Sequence, residues 1–364
     1  MNLNITKPTL ILDKQKCLDN IKFMTEQAKD HNLVFRPHFK THQSAEIGCW
    51  FREFGTNSIT VSSVEMAEYF AENGWQDITI AFPFNLLEIA RIDKLAAKIK
   101  LNLLVVSENS FDFLIKRIKH KIGFFIEIDT GYHRTGISAN DLLQIEKILE
   151  KTKQAKLVDF KGFLTHAGNT YQAKSKKEIA HIHFDSINKL KKLKAYFRKD
   201  FSELMVSIGD TPSCSLMDDF PDVDEIRPGN FVFYDLMQNK PGICSSEQIA
   251  VAVACPIVAK YPERNEMVIY GGAIHLSKEY LPINDGSKLF GKIVEFSDEK
   301  WSDPVAGAYL SSLSQEHGTI KINPAEMEKF KIGDIVGILP VHSCLTANLY
   351  KSYLTLSGNK ILKR

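Results

Sequence analysis

The strongest constraint on this chain is an alternation of texture that runs from Leu33 to Phe233. Short apolar runs at Leu33–Phe39, Ser58–Ser62, Ile78–Phe82, Leu101–Ser107, Gly123–Asp129, Phe160–His166, Leu204–Gly209 and Glu225–Phe233 are separated by stretches with apolar residues at helical spacing. The helical stretches fall near 43–53, 64–72, 86–98, 109–118, 140–152 and 176–198, with a less regular link around 213–220. Leu101–Val106 and Ile122–Ile128 are apolar at both alternations, the pattern of strands covered by helices on two faces. Eight such strands in succession predict an α/β fold, a (β/α)8 barrel of the TIM type. An open doubly wound sheet is the alternative, because counting strands does not show closure.

Beyond Asp235 the texture changes. Gln248–Lys260, Met267–Gly272, Lys292–Glu295, Gly318–Ile322, Asp334–Leu339 and Tyr353–Leu356 are short, rich in Val, Ile and Tyr, and bounded by turn residues such as Asn284-Asp285-Gly286 and Ser357-Gly358-Asn359. These predict an all-β C-terminal domain. The early run Thr9–Leu12 has no place among the eight barrel strands and is expected to join it. The expected division is therefore a barrel over 14–240 and a β-domain made of 1–13 and 241–364.

Composition narrows the partners. With 46 basic against 44 acidic residues the formal charge is only +2, which offers no broad surface for nucleic acid. No apolar run reaches the ~18 residues of a membrane span, and the first residues lack the pattern of a secretory signal. The six cysteines are scattered without a C-x-x-C pair, which suits a reducing cytoplasm better than a disulfide framework.

A barrel gathers the carboxyl ends of its strands at one mouth. The first strand delivers Lys40, flanked by His38, Thr41 and His42. A solvated basic loop is the simpler explanation of that stretch taken alone. The fifth delivers Arg134 within EIDTGYHRTGI, the sixth His166 and then Tyr171 within HAGNTY. The seventh and eighth end in the glycine turns Gly209-Asp210-Thr211 and Gly229-Asn230, the second preceded by Arg227. Glycine admits close backbone approach, and successive N–H groups form an anion-binding concavity at a place where such barrels hold phosphate. A lysine amine and a phosphate cup together suggest a cofactor carrying both an aldehyde and a phosphate, namely pyridoxal phosphate. His38 is then a further candidate contact. Arg134 is suited to the phenolic oxygen of that cofactor and His166 to its ring face, although a histidine at a strand end is also often merely a satisfied core residue. His342 and Cys344 lie two positions apart, so an extended segment turns both to one face. Imidazole and thiolate suit zinc; a buried thiol beside a surface histidine is the alternative.

These motifs resemble the fold-type III pyridoxal-phosphate enzymes, the group of alanine racemase, and within it the D-threonine aldolase and D-serine dehydratase family. RPHFKTHQS (36–44), EIDTGYHRTGI (127–137), SIGDTPS (207–213) with EIRPGNFVFYD (225–235), and PVHSCLTANLY (340–350) carry the resemblance in family order through both domains. The resemblance implies that Lys40 is the Schiff-base lysine and the catalytic residue. It implies that Arg134 and His166 contact the cofactor, and that Gly209, Asp210, Thr211, Gly229 and Asn230 bind its phosphate. Tyr171 and Arg227 compete for the pyridine nitrogen. It further implies a divalent metal, zinc or else manganese, held by His342 and Cys344 beside the cofactor on the substrate's 3-hydroxyl, and a head-to-tail homodimer. The activity implied is a lyase on D-3-hydroxy amino acids. The His-x-Cys pair favours a D-serine or D-threonine dehydratase over a D-threonine aldolase. A racemase of the same fold would need a tyrosine base with no convincing counterpart here, and a non-catalytic cofactor carrier would lack the β-domain.

Overall fold

A computed structural model of the chain describes residues 4–283, 286–297 and 299–364; Asn284 and Asp285 of the expected turn lie outside the described residues. The chain divides into two compact units, Phe23–Gly229 and a second made of Met1–Lys22 with Asn230–Arg364.

The second unit opens the chain with β1 (Thr9–Leu12). The first unit then supplies β2 (Val34–Phe35), β3 (Ile59–Val61), β4 (Asp77–Pro83), β5 (Lys100–Val105), β6 (Ile122–Asp129), a two-residue β7 (Ile137–Ser138), β8 (Val158–Leu164), β9 (Met205–Ile208) and β10 (Glu225–Ile226). Eight of these pair in the order β2-β10-β9-β8-β6-β5-β4-β3, with β7 alongside β6. All the pairings are parallel. The ends meet where His38 bridges Thr60 in parallel, with Phe39 N–H donating to Thr60 O and Thr60 N–H to Pro37 O, each at 2.9 Å. The expected barrel is therefore present and nearly closed.

Local chemistry explains the alternation. In β6 seven of the eight residues, IGFFIEI, are buried, which only a strand covered on both faces allows. Helices start where a serine or aspartate accepts an N–H two or three residues on: Ser63 from Met66, Ser107 from Ser110, Asp141 from Gln144, Ser175 from Glu178 and Asp210 from Ser213. The last barrel strand stops at Ile226, well short of Phe233. Pro228 has no N–H to donate, and Asn230–Val232 turn into a 3-10 helix.

A buried charge chain ties this barrel together. Arg36 Nε meets Glu225 Oε2 and its Nη1 meets Asp77 Oδ1, both at 2.6 Å. Ser207 Oγ donates to Glu225 Oε1 at 2.7 Å and accepts from Arg227 Nε at 2.6 Å. The chain links residues at β2, β4, β9 and β10.

The second unit holds a sheet of antiparallel texture. Its strands are β11 (Val251–Tyr261), β12 (Glu266–Tyr270), β13 (Leu281–Pro282), β14 (Lys288–Leu289), β15 (Gly291–Glu295), β16 (Tyr309–Leu313), β17 (His317–Lys321), β18 (Ile335–Pro340), β19 (Ser352–Thr355) and β20 (Lys360–Leu362). The main sheet runs β12-β17-β16-β15-β18-β11-β1-β19-β20, and β13–β14 form a separate hairpin. As expected, β1 joins this sheet, antiparallel to β11 and parallel to β19. The strand β16, GAYLSSLS in context, was not expected because its serines break the apolar pattern.

Removing Glu225 leaves the buried Arg36 guanidinium short of a partner. We predict that Glu225→Ala lowers unfolding free energy by about 3–5 kcal/mol. Lys100→Ala, which removes an exposed partner of Asp77, should cost about 0–1 kcal/mol. Denaturant titrations of both variants check the contrast; equal effects would contradict it.

Candidate active site

The stretch around Lys40 is built from the inside out. From Arg36 to Ser44 every residue is buried or half-buried except Lys40, which is exposed. Phe39 is fully buried, its ring 4.9 Å from Phe51, 5.0 Å from Phe70 and 5.1 Å from Trp75. The His42 ring stacks on Phe51 at 5.6 Å. Gln43 takes a left-handed φ of 48° while its Nε2 donates to the Lys40 carbonyl at 3.0 Å. A solvated loop would not bury its neighbours this way. The segment is a rigid mount that turns one lysine outward at the carboxyl end of β2.

The other barrel candidates converge on the same mouth. His38, His166, Arg134, Arg227 and Lys40 lie close enough to act on one another electrostatically. Burial, together with the charges of Lys40, Arg227 and Arg134, holds His38 well below the usual histidine range. His166 is pushed down to about 3 by burial and the Lys40 and Arg134 charges, against a hydrogen bond to Gly209. That bond, Nδ1 to the Gly209 carbonyl oxygen at 2.5 Å, places the proton on Nδ1, so the neutral ring offers a bare Nε2. Arg227 is buried, with Nη2 donating to the Thr165 carbonyl at 2.8 Å. Burial pulls its guanidinium down to about 10 against the charges of Glu225 and Glu127, which leaves it protonated at neutral pH.

The glycine turns are close approaches rather than loose loops. A Cβ on Gly209 would sit 2.9 Å from Arg227 Cβ, and one on Gly229 would sit 2.9 Å from both the Cβ and the carbonyl oxygen of His38. Thr211 Oγ1 is buried with no partner among the described residues. Asp210, by contrast, spends its carboxylate internally: Oδ1 accepts from Ser213 N–H at 2.8 Å and Thr170 Oγ1 at 2.9 Å. Only its backbone is left for an anion. Thr211 N–H donates to Tyr171 Oη at 3.2 Å, so the structure brings Tyr171 to this turn.

Pyridoxal phosphate fits these residues. Three cations face two neutral imidazoles, a buried hydroxyl is unpartnered, and two glycines let their turns pack closely on Arg227 and His38. Such a cluster of like charge is costly unless an anion neutralises it.

His342 and Cys344 belong to the other unit and are not in an extended segment. His342 is the extended cap (φ −133°, ψ 100°) of a short helix, Ser343–Asn348, which places Cys344 in its first turn. The two side chains nonetheless lie close enough to interact. Burial disfavours the imidazolium, but that interaction and the negative charges of Cys344, Asp235 and Glu279 push His342 up to about 9. A site that favours positive charge this strongly suits a metal cation. Among the described residues no group of three or more His, Cys, Asp or Glu side chains is placed to hold a metal by protein ligands alone. Two donors leave coordination positions open.

The Asn230 side chain lies here, while its backbone follows Gly229 in the expected phosphate turn. Its Nδ2 lies 2.7 Å from Asp235 Oδ2, 3.1 Å from Ser343 Oγ and 3.6 Å from Cys344 Sγ. Asp235 is the residue that motif reading missed. It is buried, accepts from Ser343 N–H at 2.9 Å and caps Leu236–Asn239, so its signal in sequence was that of a helix cap. Glu127 was also passed over; it is buried, accepts from Thr135 Oγ1 at 2.8 Å, and burial raises its carboxyl pKa.

A lysine mounted at the mouth of a barrel with a cationic, glycine-lined turn, and a separate β-unit, defines the class of alanine racemase-like pyridoxal-phosphate barrels. The family model "Alanine racemase, N-terminal domain" matches residues 12–236, and "Putative serine dehydratase domain" matches 250–356. The chain is 30% identical to the D-serine dehydratase of Dictyostelium discoideum over 98% of its own length and 94% of that protein's. Among solved structures it matches D-threo-3-hydroxyaspartate dehydratase from Delftia sp. HT23 with TM-score 0.89 and 22% identity, covering 99% and 98% of the two chains. That enzyme is also known as a cysteine-to-alanine variant in a metal-free form (TM-score 0.90). D-threonine aldolase from Filomicrobium marinum shares the fold at TM-score 0.82 and 20% identity, covering 99% and 95%. The chain belongs to the fold-type III pyridoxal-phosphate enzymes, in the D-serine dehydratase and D-threonine aldolase family.

Because His166 protonates near 6.5 when unfolded and only near 3 when folded, the unfolded chain binds more protons between those values. Stability tied to His166 is thus present above pH 6.5 and is lost as pH falls through the window. We predict that His166→Gln flattens the fall in melting temperature between pH 7 and 5; an unchanged slope would contradict the assignment.

Proposed function

We propose that this lyase removes water from a D-3-hydroxy amino acid, D-serine above all, to give the 2-keto acid and ammonia. The observation that carries the reading is Lys40: the one exposed side chain of an otherwise buried mount, in a ring of cations. In this reading Lys40, His38, Arg134, His166, Tyr171, Arg227 and the turns at 209–211 and 229–230 hold pyridoxal phosphate, and His342 and Cys344 hold a divalent metal. When bound, the cofactor supplies an electron sink that acidifies the substrate α-carbon, and the metal a Lewis acid that eases departure of the 3-hydroxyl.

The chain's own residues do the rest. Lys40 Nζ takes the α-proton as general base. Burial, reinforced by the charges of Lys40, Arg134 and Arg227, makes His38 and His166 weak bases, so neither imidazole competes for that proton near pH 7. His166, fixed by its Nδ1 bond to Gly209, offers a flat face of settled tautomer.

Zinc is the metal favoured by an imidazole and a sulfur donor. In the Delftia enzyme the histidine and cysteine whose alanine variants were solved stand two positions apart, the spacing of His342 and Cys344 here, and the cysteine variant is the metal-free one. That supports elimination over carbon–carbon cleavage. Exposed Phe82, near the end of β4, and Leu87, just beyond it, support a homodimer. All six cysteines are free, which supports a cytoplasmic setting.

With D-serine we expect pyruvate and ammonia from the wild-type protein. Lys40→Ala should lose the visible absorbance of lysine-linked cofactor and drop turnover at least ~10²-fold. Chelation or His342→Ala should abolish turnover while that absorbance remains. A colourless wild type would refute the cofactor reading, and full turnover after both metal treatments would refute the metal.

A further inference from the structure

We propose that Asn230 is a positioning residue for the His342–Cys344 pair: its carboxamide, anchored on Asp235, presents an N–H to the Cys344 sulfur. The inference rests on the proposal that this pair holds a metal, and adds to it which residue aims the sulfur.

A carboxamide nitrogen has two N–H groups. One is committed to Asp235 Oδ2 at 2.7 Å, since a carboxylate can only accept. The second is contested between Ser343 Oγ at 3.1 Å and Cys344 Sγ at 3.6 Å. Ser343 turns its own hydroxyl and its backbone N–H to Asp235 Oδ2, at 3.3 Å and 2.9 Å. Asp235 therefore gathers Asn230 and Ser343 around one oxygen, and its other oxygen accepts from Gln238 N–H at 3.1 Å. The result is a frame anchored in the helix Leu236–Asn239 and aimed at the first turn of Ser343–Asn348.

Asn230 is 5% exposed, and its Oδ1 is buried with no hydrogen-bond partner. The amide is therefore held by its donors, not its acceptor. An apolar residue of that size would avoid burying an unsatisfied carbonyl, so packing alone does not explain an asparagine here. What the asparagine contributes is an N–H within reach of sulfur, shared with Ser343 Oγ. Hydrogen bonds of this kind orient metal ligands, and their loss typically weakens metal affinity by about 10–100-fold.

The test uses cofactor-loaded protein stripped of metal and titrated with Zn²⁺ or Mn²⁺ in competition with a chromogenic chelator. Asn230→Ala should weaken Zn²⁺ binding by about 10–100-fold. Mn²⁺, which prefers oxygen donors, should lose less, whereas the metal-free protein should melt at a lower temperature because buried Asp235 loses a donor. Ser343→Ala frees the contested N–H for sulfur and should keep Zn²⁺ affinity or tighten it. Equal Zn²⁺ affinity in wild type and Asn230→Ala overturns the inference while leaving the metal reading intact. Equal losses for both metals, or a tenfold loss in Ser343→Ala, also overturn it. If Asn230→Ala fails to fold, Ser343→Ala decides alone. A wild type that binds neither metal removes the metal reading and this inference with it.

Discussion

The chain of buried charges from Asp77 through Arg36, Glu225 and Ser207 to Arg227 is the constraint on which the barrel depends. Buried ion pairs add little net stability against hydrophobic replacements, but a broken one is costly. Their value here is in register. The strands β2 and β10 are two residues long, too short for their ladder to fix alignment alone. Arg36 locks β2 to β10 and to the start of β4 at once. Four residues later the same segment presents Lys40, and two residues beyond Glu225 the same network holds Arg227. The scaffold and the candidate site therefore share one set of hydrogen bonds.

Charge organises each compact unit differently. In the barrel, Lys40, Arg134 and Arg227 concentrate positive potential around two imidazoles that burial keeps neutral. In the β-unit, Cys344, Asp235 and Glu279 concentrate negative potential around His342. A ligand of opposite charge would relieve each cluster, a phosphate in one case and a metal cation in the other. A protein selected only for stability would avoid both.

Much of this was legible in the residues. Two-sided apolar runs gave parallel strands because no other arrangement buries both faces of IGFFIEI. Thr9–Leu12 was placed with the β-unit by elimination, and its pairing with β11 follows. What could not be read were facts that depend on where a side chain turns. Asn230 follows a glycine turn, but the sequence does not show that its side-chain amide is held by Asp235, a residue that reads as an ordinary helix cap. Nor does it show that the Asp210 carboxylate caps the helix that follows, which leaves its backbone for an anion. The His-x-Cys pair was assigned to an extended segment, whereas a helix begins between the two residues. That boundary rests on a histidine cap, which lacks the serine or aspartate signal of the other helices.

In the proposed reaction a barrel lysine and a His-x-Cys metal pair direct loss of the 3-hydroxyl. D-threonine tests it most directly, because its β-carbon can lose either hydroxide or the bond to the α-carbon. Proton NMR of D-threonine incubated with protein carrying pyridoxal phosphate and Zn²⁺ should show 2-oxobutyrate appearing with an equal amount of ammonia. Glycine with acetaldehyde as the products would contradict the account.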